Sequence, residues 1–110
     1  MKTVLVYITT SSQEEAGRIG RILVEKRLAA CVNILAPIQS LYRWEGKIQN
    51  ETEIPFLAKT TPELFELLAQ EVRSNHSYSN PCIVALPIER GSMPFLEWII
   101  KETGPEIASA

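Results

Sequence analysis

The chain has 110 residues, 45% of them apolar and 22% charged, which is the make-up of one globular domain built on a single core. Its net charge is −2, and no run of Lys or Arg exceeds two residues, which argues against binding nucleic acid through phosphate contacts. No 18-residue apolar stretch is present to span a membrane as a helix. All thirteen acidic residues are glutamate, so calcium loops built on aspartate and Ser-His-Asp triads are excluded. A single histidine excludes a multi-histidine metal cage within one chain.

In chain order, Thr3 to Thr10 is β-branched and aromatic and predicts a first strand. Its apolar run is too short for a signal peptide, so Cys31 and Cys82 are expected to be reduced thiols in a cytoplasm. Ser11 or Ser12, followed by Glu14 and Glu15, predicts a capped helix. Its apolar face is Ala16, Ile19, Ile22 and Leu23, and it should run to about Leu28. Within it, the Gly17 and Gly20 pair suits close packing better than approach of a ligand.

Cys31 to Gln49 reads as extended, with a bend or sheet edge at Pro37. A hairpin turn is expected at Glu45-Gly46-Lys47, and a return strand from Glu51 to Thr60. Thr61-Pro62-Glu63 is a helix start, with Leu64, Leu67, Leu68 and Val72 as its apolar face. The polar stretch His76-Ser-Tyr-Ser-Asn-Pro-Cys82 follows, then an apolar strand from Cys82 to Ile88. A short last helix should start at Pro94, cover Phe95 to Thr103, and end before Gly104 and Pro105.

The order β-α-β-β-α-β plus a tail helix predicts an α+β fold: a ferredoxin-like βαββαβ sandwich with an extended β-arm and a short C-terminal helix, in one domain over residues 1–110. Right-handed crossovers would put both main helices on one face of the sheet. Yet Val4 to Ile8 and Ile83 to Leu86 are apolar on both faces, so the other face needs cover. The segment from Ile38 to Lys47, with Leu41, Tyr42 and Trp44, also exceeds what the core can use. Both features predict an oligomer joined through the arm.

At this level of detail the chain resembles a known family. LVEKRLAACVNIL, SLYRWEGKIQNETE, AKTTPELFELLAQEVRSNHSY and IVALPIERGSMPFLEWI are similar to segments of the CutA family, the divalent-cation tolerance proteins. The resemblance covers nearly the whole chain. It implies a cytoplasmic homotrimer with architecture like that of PII signalling proteins, and an association with tolerance to divalent metals, copper above all. The chain departs from the family's usual His-Pro-Tyr-Glu run: Ser77 replaces the proline, Ser79 the glutamate, and Cys82 stands where a second glutamate is common. Ile8 stands where some members carry a cysteine, and Arg43 where many have an aromatic.

Two candidate sites follow. His76 and Cys82, with Glu89 as an extra ligand, suit Cu(I) or Zn(II), although two or three ligands leave a tetrahedral site open. The same residues also fit a helix-end cation and a small apolar start to a strand. Tyr42, Trp44, Lys59 and Tyr78 could instead form an intersubunit cleft for a small anion, or the aromatics could be interface anchors. The surface glutamates, Glu51 and Glu53 among them, read as a solvated face. No nucleophile–base pair is apparent, so a non-enzymatic protein is expected. No cofactor is obligatory; copper or another divalent metal is the ion it would take, and no nucleic acid or membrane partner is expected.

Overall fold

The computed structural model describes residues 2–105. Its strands are β1 (Val4–Thr10), β2 (Cys31–Ile34), β3 (Ile38–Trp44), β4 (Lys47–Thr60) and β5 (Ile83–Pro87). Its helices are α1 (Gln13–Glu25), α2 (Phe65–Asn75), entered through a 3-10 turn at Pro62–Leu64, and α3 (Met93–Lys101). The sheet runs β2-β4-β1-β5, and β3 pairs only with β4. Every pairing is antiparallel. This is the split β-α-β arrangement expected from the element order.

The organising element is β4, fourteen residues long. Residues 54–60 pair with β1, while residues 47–53 pair with β3 and form a two-stranded arm. Fourteen residues at about 3.3 Å each span some 46 Å, which accounts for a long axis of 56 Å against 27 and 22 Å. The sequence reading began this strand at Glu51; the ladder instead continues to the turn, because each residue from Lys47 onward has a partner on β3. Glu45 and Gly46 both have positive φ (49° and 76°), the twist that two-residue hairpins favour.

Two prolines mark where the ladder changes partner. Pro37 lies in the break between β2 and β3, as its missing N–H requires. Pro55 sits inside β4, a place normally closed to proline. It pairs with Thr9 in register, and its carbonyl accepts from Leu35 N–H at 3.0 Å. In extended backbone the N and C=O of a residue point the same way, so its nitrogen faces Leu35, just past the end of β2, and not β1. No bond to β1 is lost.

Strand periodicity divides the side chains between the two faces. Val4, Val6, Ile8, Ile54, Phe56 and Ala58 form the buried face. On it pack Ala16, Ile19 and Leu23 of α1 and Leu68 and Val72 of α2. Ile8 is wholly buried there. Leu67, expected on the apolar face of α2, is 54% exposed, because within the helix it lies about 100° around the axis from Leu68 and about 140° from Val72. The opposite face carries Leu5, Tyr7 and Leu57 half-buried and Val84 and Leu86 about half exposed. No helix pair covers it, as the sequence predicted.

The ends of α1 are held by specific chemistry. Ser12 Oγ accepts from Glu15 N–H at 3.1 Å, an N-cap. Glu15 reaches back one residue further than in the usual box. Its Oε1 accepts from Ser11 N–H and Ser11 Oγ, each at 3.0 Å. Its Oε2 accepts from Ser77 N–H at 2.8 Å. At the other end, Leu28 N–H bonds Leu23 O and Arg27 N–H bonds Val24 O, a Schellman pair with Arg27 at φ 59°. A left-handed arginine costs about 1–3 kcal/mol. The guanidinium offsets this by donating to Gly104 O (2.7 Å) and Lys101 O (2.8 Å), which caps the C-terminus of α3. The helix therefore stops at Glu25, short of the expected Leu28.

Two glycines of α1 give opposite expectations. A Cβ on Gly20 would lie 2.9 Å from Val32 Cγ1, whereas one on Gly17 meets nothing within 4 Å. Gly20→Ala should destabilise by about 1–3 kcal/mol, and Gly17→Ala should stabilise by about 0.5–1 kcal/mol; urea unfolding of the two variants measures both. Glu15 generates a second expectation. Burial opposes its ionisation, but the hydrogen bonds from Ser11 and Ser77 win and hold the carboxyl at about 2, against 4.5. A depressed carboxylate stabilises the fold above its unfolded pKa, and the gain is lost as pH falls from about 4.5 to about 2. Glu15→Gln should flatten stability across that window, removing about 2–3 kcal/mol of pH dependence; equal slopes for the two proteins would refute it.

Candidate functional site

The two faces of β4 decide what lies where. Odd-numbered residues from Lys47 to Lys59 share one side with Tyr42 and Trp44 of β3 and with Tyr7 and Thr9 of β1. This is the side without α1 and α2. The 76–82 loop rises beside it and encloses an open groove of about 680 Å³. The floor holds Tyr7, Thr9, Glu51 and Glu53, one wall holds Tyr42 and Trp44, and the other holds Tyr78 and Cys82.

The charge in this groove is one-sided. No Lys or Arg lines it. Glu53 is only 9% exposed, and among the described residues neither it nor Glu51 forms an ion pair. The neighbours respond to that field. Burial and then the Glu53 charge push the Tyr78 phenol up to about 12. Partial burial, with Glu53 behind it, also raises the Cys82 thiol. Tyr7 is raised by burial and then by Cys82 and Glu53. All three shifts favour the protonated form, as a negative potential requires.

The residues singled out from the sequence are distributed differently from expectation. Tyr42, Trp44, Tyr78 and Cys82 line the groove together. Lys59 does not. Its Nζ donates to Asn33 Oδ1 at 2.8 Å and lies 5.4 Å from the ring centroid of Phe95, beyond Leu57 on the same strand. Within the single chain Lys59 therefore stands apart from the other three.

Glu89 is also elsewhere. Cys82 precedes β5 and Glu89 follows it, so five extended residues, about 16 Å, separate them. Glu89 is 83% exposed beside Arg90. The side chain of His76 is fully buried, with Nε2 at 2.8 Å from Thr9 O and Nδ1 accepting from Tyr78 N–H at 3.0 Å. No ring nitrogen is left for a metal in this arrangement. The set His76, Cys82 and Glu89 is thus not brought together, and among the described residues no three His, Cys, Asp or Glu side chains group closely enough to hold an ion.

Sequence reasoning placed Glu51 and Glu53 on a solvated face in preference to loose surface binding of divalent metals. Their spacing of two on a strand put them on one face, but only the register of β3 against β4 places that face beside Tyr42 and Trp44. Tyr7 and Thr9 were read as ordinary strand residues for the same reason.

Residues 4–102 match the profile of the CutA1 divalent ion tolerance protein. The divalent-cation tolerance protein CutA of Archaeoglobus fulgidus is 54% identical over 94 residues, 86% of this chain and 91% of that protein. The Thermus thermophilus protein of the same name is 45% identical over 100 residues, 91% and 97% of the two chains. The solved Archaeoglobus structure superposes with a TM-score of 0.88 at 51% identity, over 91% and 97% of the chains. That of Thermus gives 0.91 at 44%, over 93% and 99%. The cytoplasmic setting expected from the sequence is overturned by these relatives. The Archaeoglobus structure is described as periplasmic and the Arabidopsis thaliana relative as chloroplastic. The short apolar run of the first strand carries no information about compartment. With a profile match across nearly its whole length, a relative above half identity and superposable solved structures, this chain belongs to the CutA1 divalent ion tolerance family.

Proposed function

We propose that the protein serves divalent-cation tolerance by binding a cation in the groove of the open sheet face, without catalysis, as a homotrimer. The observation that carries this is the buried Glu53, hydrogen-bonded by the Tyr78 phenol but without an ion-pair partner among the described residues, beside Cys82 in a groove lined by no basic residue. Carboxylate charge held away from water is costly unless a cation meets it. Glu53 offers oxygen and Cys82 offers sulfur, a mixed pair that suits zinc or copper better than magnesium. Fewer than four donors leave a tetrahedral site incomplete, so water or a second copy completes it.

The second copy has a place to sit. Val84 and Leu86 on the open face, and Leu41, Trp44 and Ile48 on the arm, are 50–69% exposed in the single chain. Apolar surface of this kind marks association. Packing against it would also close the groove and lower its dielectric. A small-ligand sensor remains the second reading, favoured by the aromatic walls Tyr42, Trp44 and Tyr78. The charge of the groove within one chain suits an organic cation as its ligand.

Zinc or Cu(I) should bind wild type at least about tenfold more tightly than the Glu53→Gln/Cys82→Ser double variant, measured against a competing chelator. Affinity should rise with pH, because the metal displaces the thiol proton. Equal affinities would remove the groove from consideration. Light scattering at micromolar concentration should give about three times the 12.4 kDa chain mass; a 12.4 kDa particle would end the trimer reading.

A further inference from the structure

The groove's two walls come from distant parts of the chain, and something must hold them in register. The wall formed by the 76–82 loop has no strand partner; β5 begins only at Ile83. Its first residues are instead tied down by side chains. Ser77 N–H donates to Glu15 Oε2 at 2.8 Å, and Tyr78 N–H donates to His76 Nδ1 at 3.0 Å. On the other side of the imidazole, Nε2 reaches Thr9 O at 2.8 Å, and Thr9 is part of the groove floor. The Tyr78 ring then lies against the imidazole, with centroids 4.8 Å apart, and lines the groove.

These contacts determine the state of the ring. An atom that accepts a main-chain N–H carries no proton, so Nδ1 is bare. The proton is on Nε2, which donates to the Thr9 carbonyl. The imidazole is neutral, and both nitrogens are engaged within the chain. Glu15 Oε1 lies 4.0 Å from Nδ1 and is already the acceptor for Ser11. Nothing in this network is aimed at the groove except through Tyr78.

We infer that His76 is a positioning residue, not a ligand: it bridges the groove's loop wall to its β1 floor and so sets where Tyr78 and Cys82 stand relative to Glu53. The effect on cation affinity rests on the reading of the groove given above; the tautomer and the loop anchoring do not. Substitution at His76 would therefore weaken cation binding by displacing donors, without removing one. A hydrogen-bonding side chain that still reaches Thr9 should restore much of it. Glutamine carries an amide N–H at the distance of Nε2 and serves that purpose, whereas alanine does not.

The test uses the full chain, with zinc as the probe. Long-range 1H–15N spectra of the imidazole should show the neutral form protonated at Nε2, with ring shifts unchanged when zinc saturates the protein. In His76→Ala, zinc affinity should fall about tenfold and exchange of the Tyr78 amide should accelerate; His76→Gln should stay within about threefold of wild type. Zinc-induced movement of the ring nitrogen shifts, or a proton on Nδ1, would overturn the inference. So would a His76→Gln variant that loses as much affinity as alanine while Tyr78 exchange stays at the wild-type rate. Should wild type bind no zinc, the cation reading falls. The tautomer and the Tyr78 exchange rates then still decide the role of His76. If His76→Ala does not fold, the wild-type spectra and the glutamine variant carry the decision alone.

Discussion

Everything functional here depends on one strand being shared. β4 is long enough to complete the core sheet with one half and to build the arm with the other. Because side chains alternate strictly along a strand, its odd residues form one continuous row from the arm to the sheet. Glu51 and Glu53 sit in that row where the two halves meet. Pro55 marks the junction: on its side facing Leu35 only the Leu35 N–H to Pro55 O bond is made, and the β2 pairing ends there. Move the register by one residue and the glutamates would point to the other side, with Phe56 brought into water.

The second constraint is polar. A loop wall without strand pairing would ordinarily be mobile, yet this one is held by a buried histidine and a buried glutamate. Glu15 serves three donors from two segments, and the single histidine bonds at both nitrogens. Such a network is stable only when every member is satisfied. It also fixes a geometry that apolar packing would leave loose. The same arrangement explains why the only histidine in a cation-tolerance protein is directed inward.

Charge then separates the two ends of the open face. At the arm end the carboxylates stand without basic partners, and burial first, then their charge, raises the proton affinity of the phenols and thiol around them. At the α3 end Lys59 is spent on Asn33 and the Phe95 ring. A cation drawn to this face meets its complement at the first end only. The apolar residues between and beside them, Val84 and Leu86 above all, stay about half exposed in the single chain.

The fold was legible because it is written in local patterns. The β-branched run of β1, the Ser12–Glu15 cap, the Thr61-Pro62 helix start and the Glu45-Gly46 turn are each settled within a few residues. Their order implies the split β-α-β topology. The apolar character of both faces of β1 and β5 likewise announced an uncovered surface. Boundaries shifted where a single geometry intervened: the left-handed Arg27 ended α1 early. The site was less legible, because its parts lie on four segments. Spacing could pair Tyr42 with Trp44 and Glu51 with Glu53, but only strand register set the pairs side by side. Only the tertiary fold turned His76 inward, sent Glu89 to the far end of β5, and left Lys59 out of the groove. A side chain's chemistry belongs to its residue type; its direction and its partners belong to contacts between residues distant in the chain.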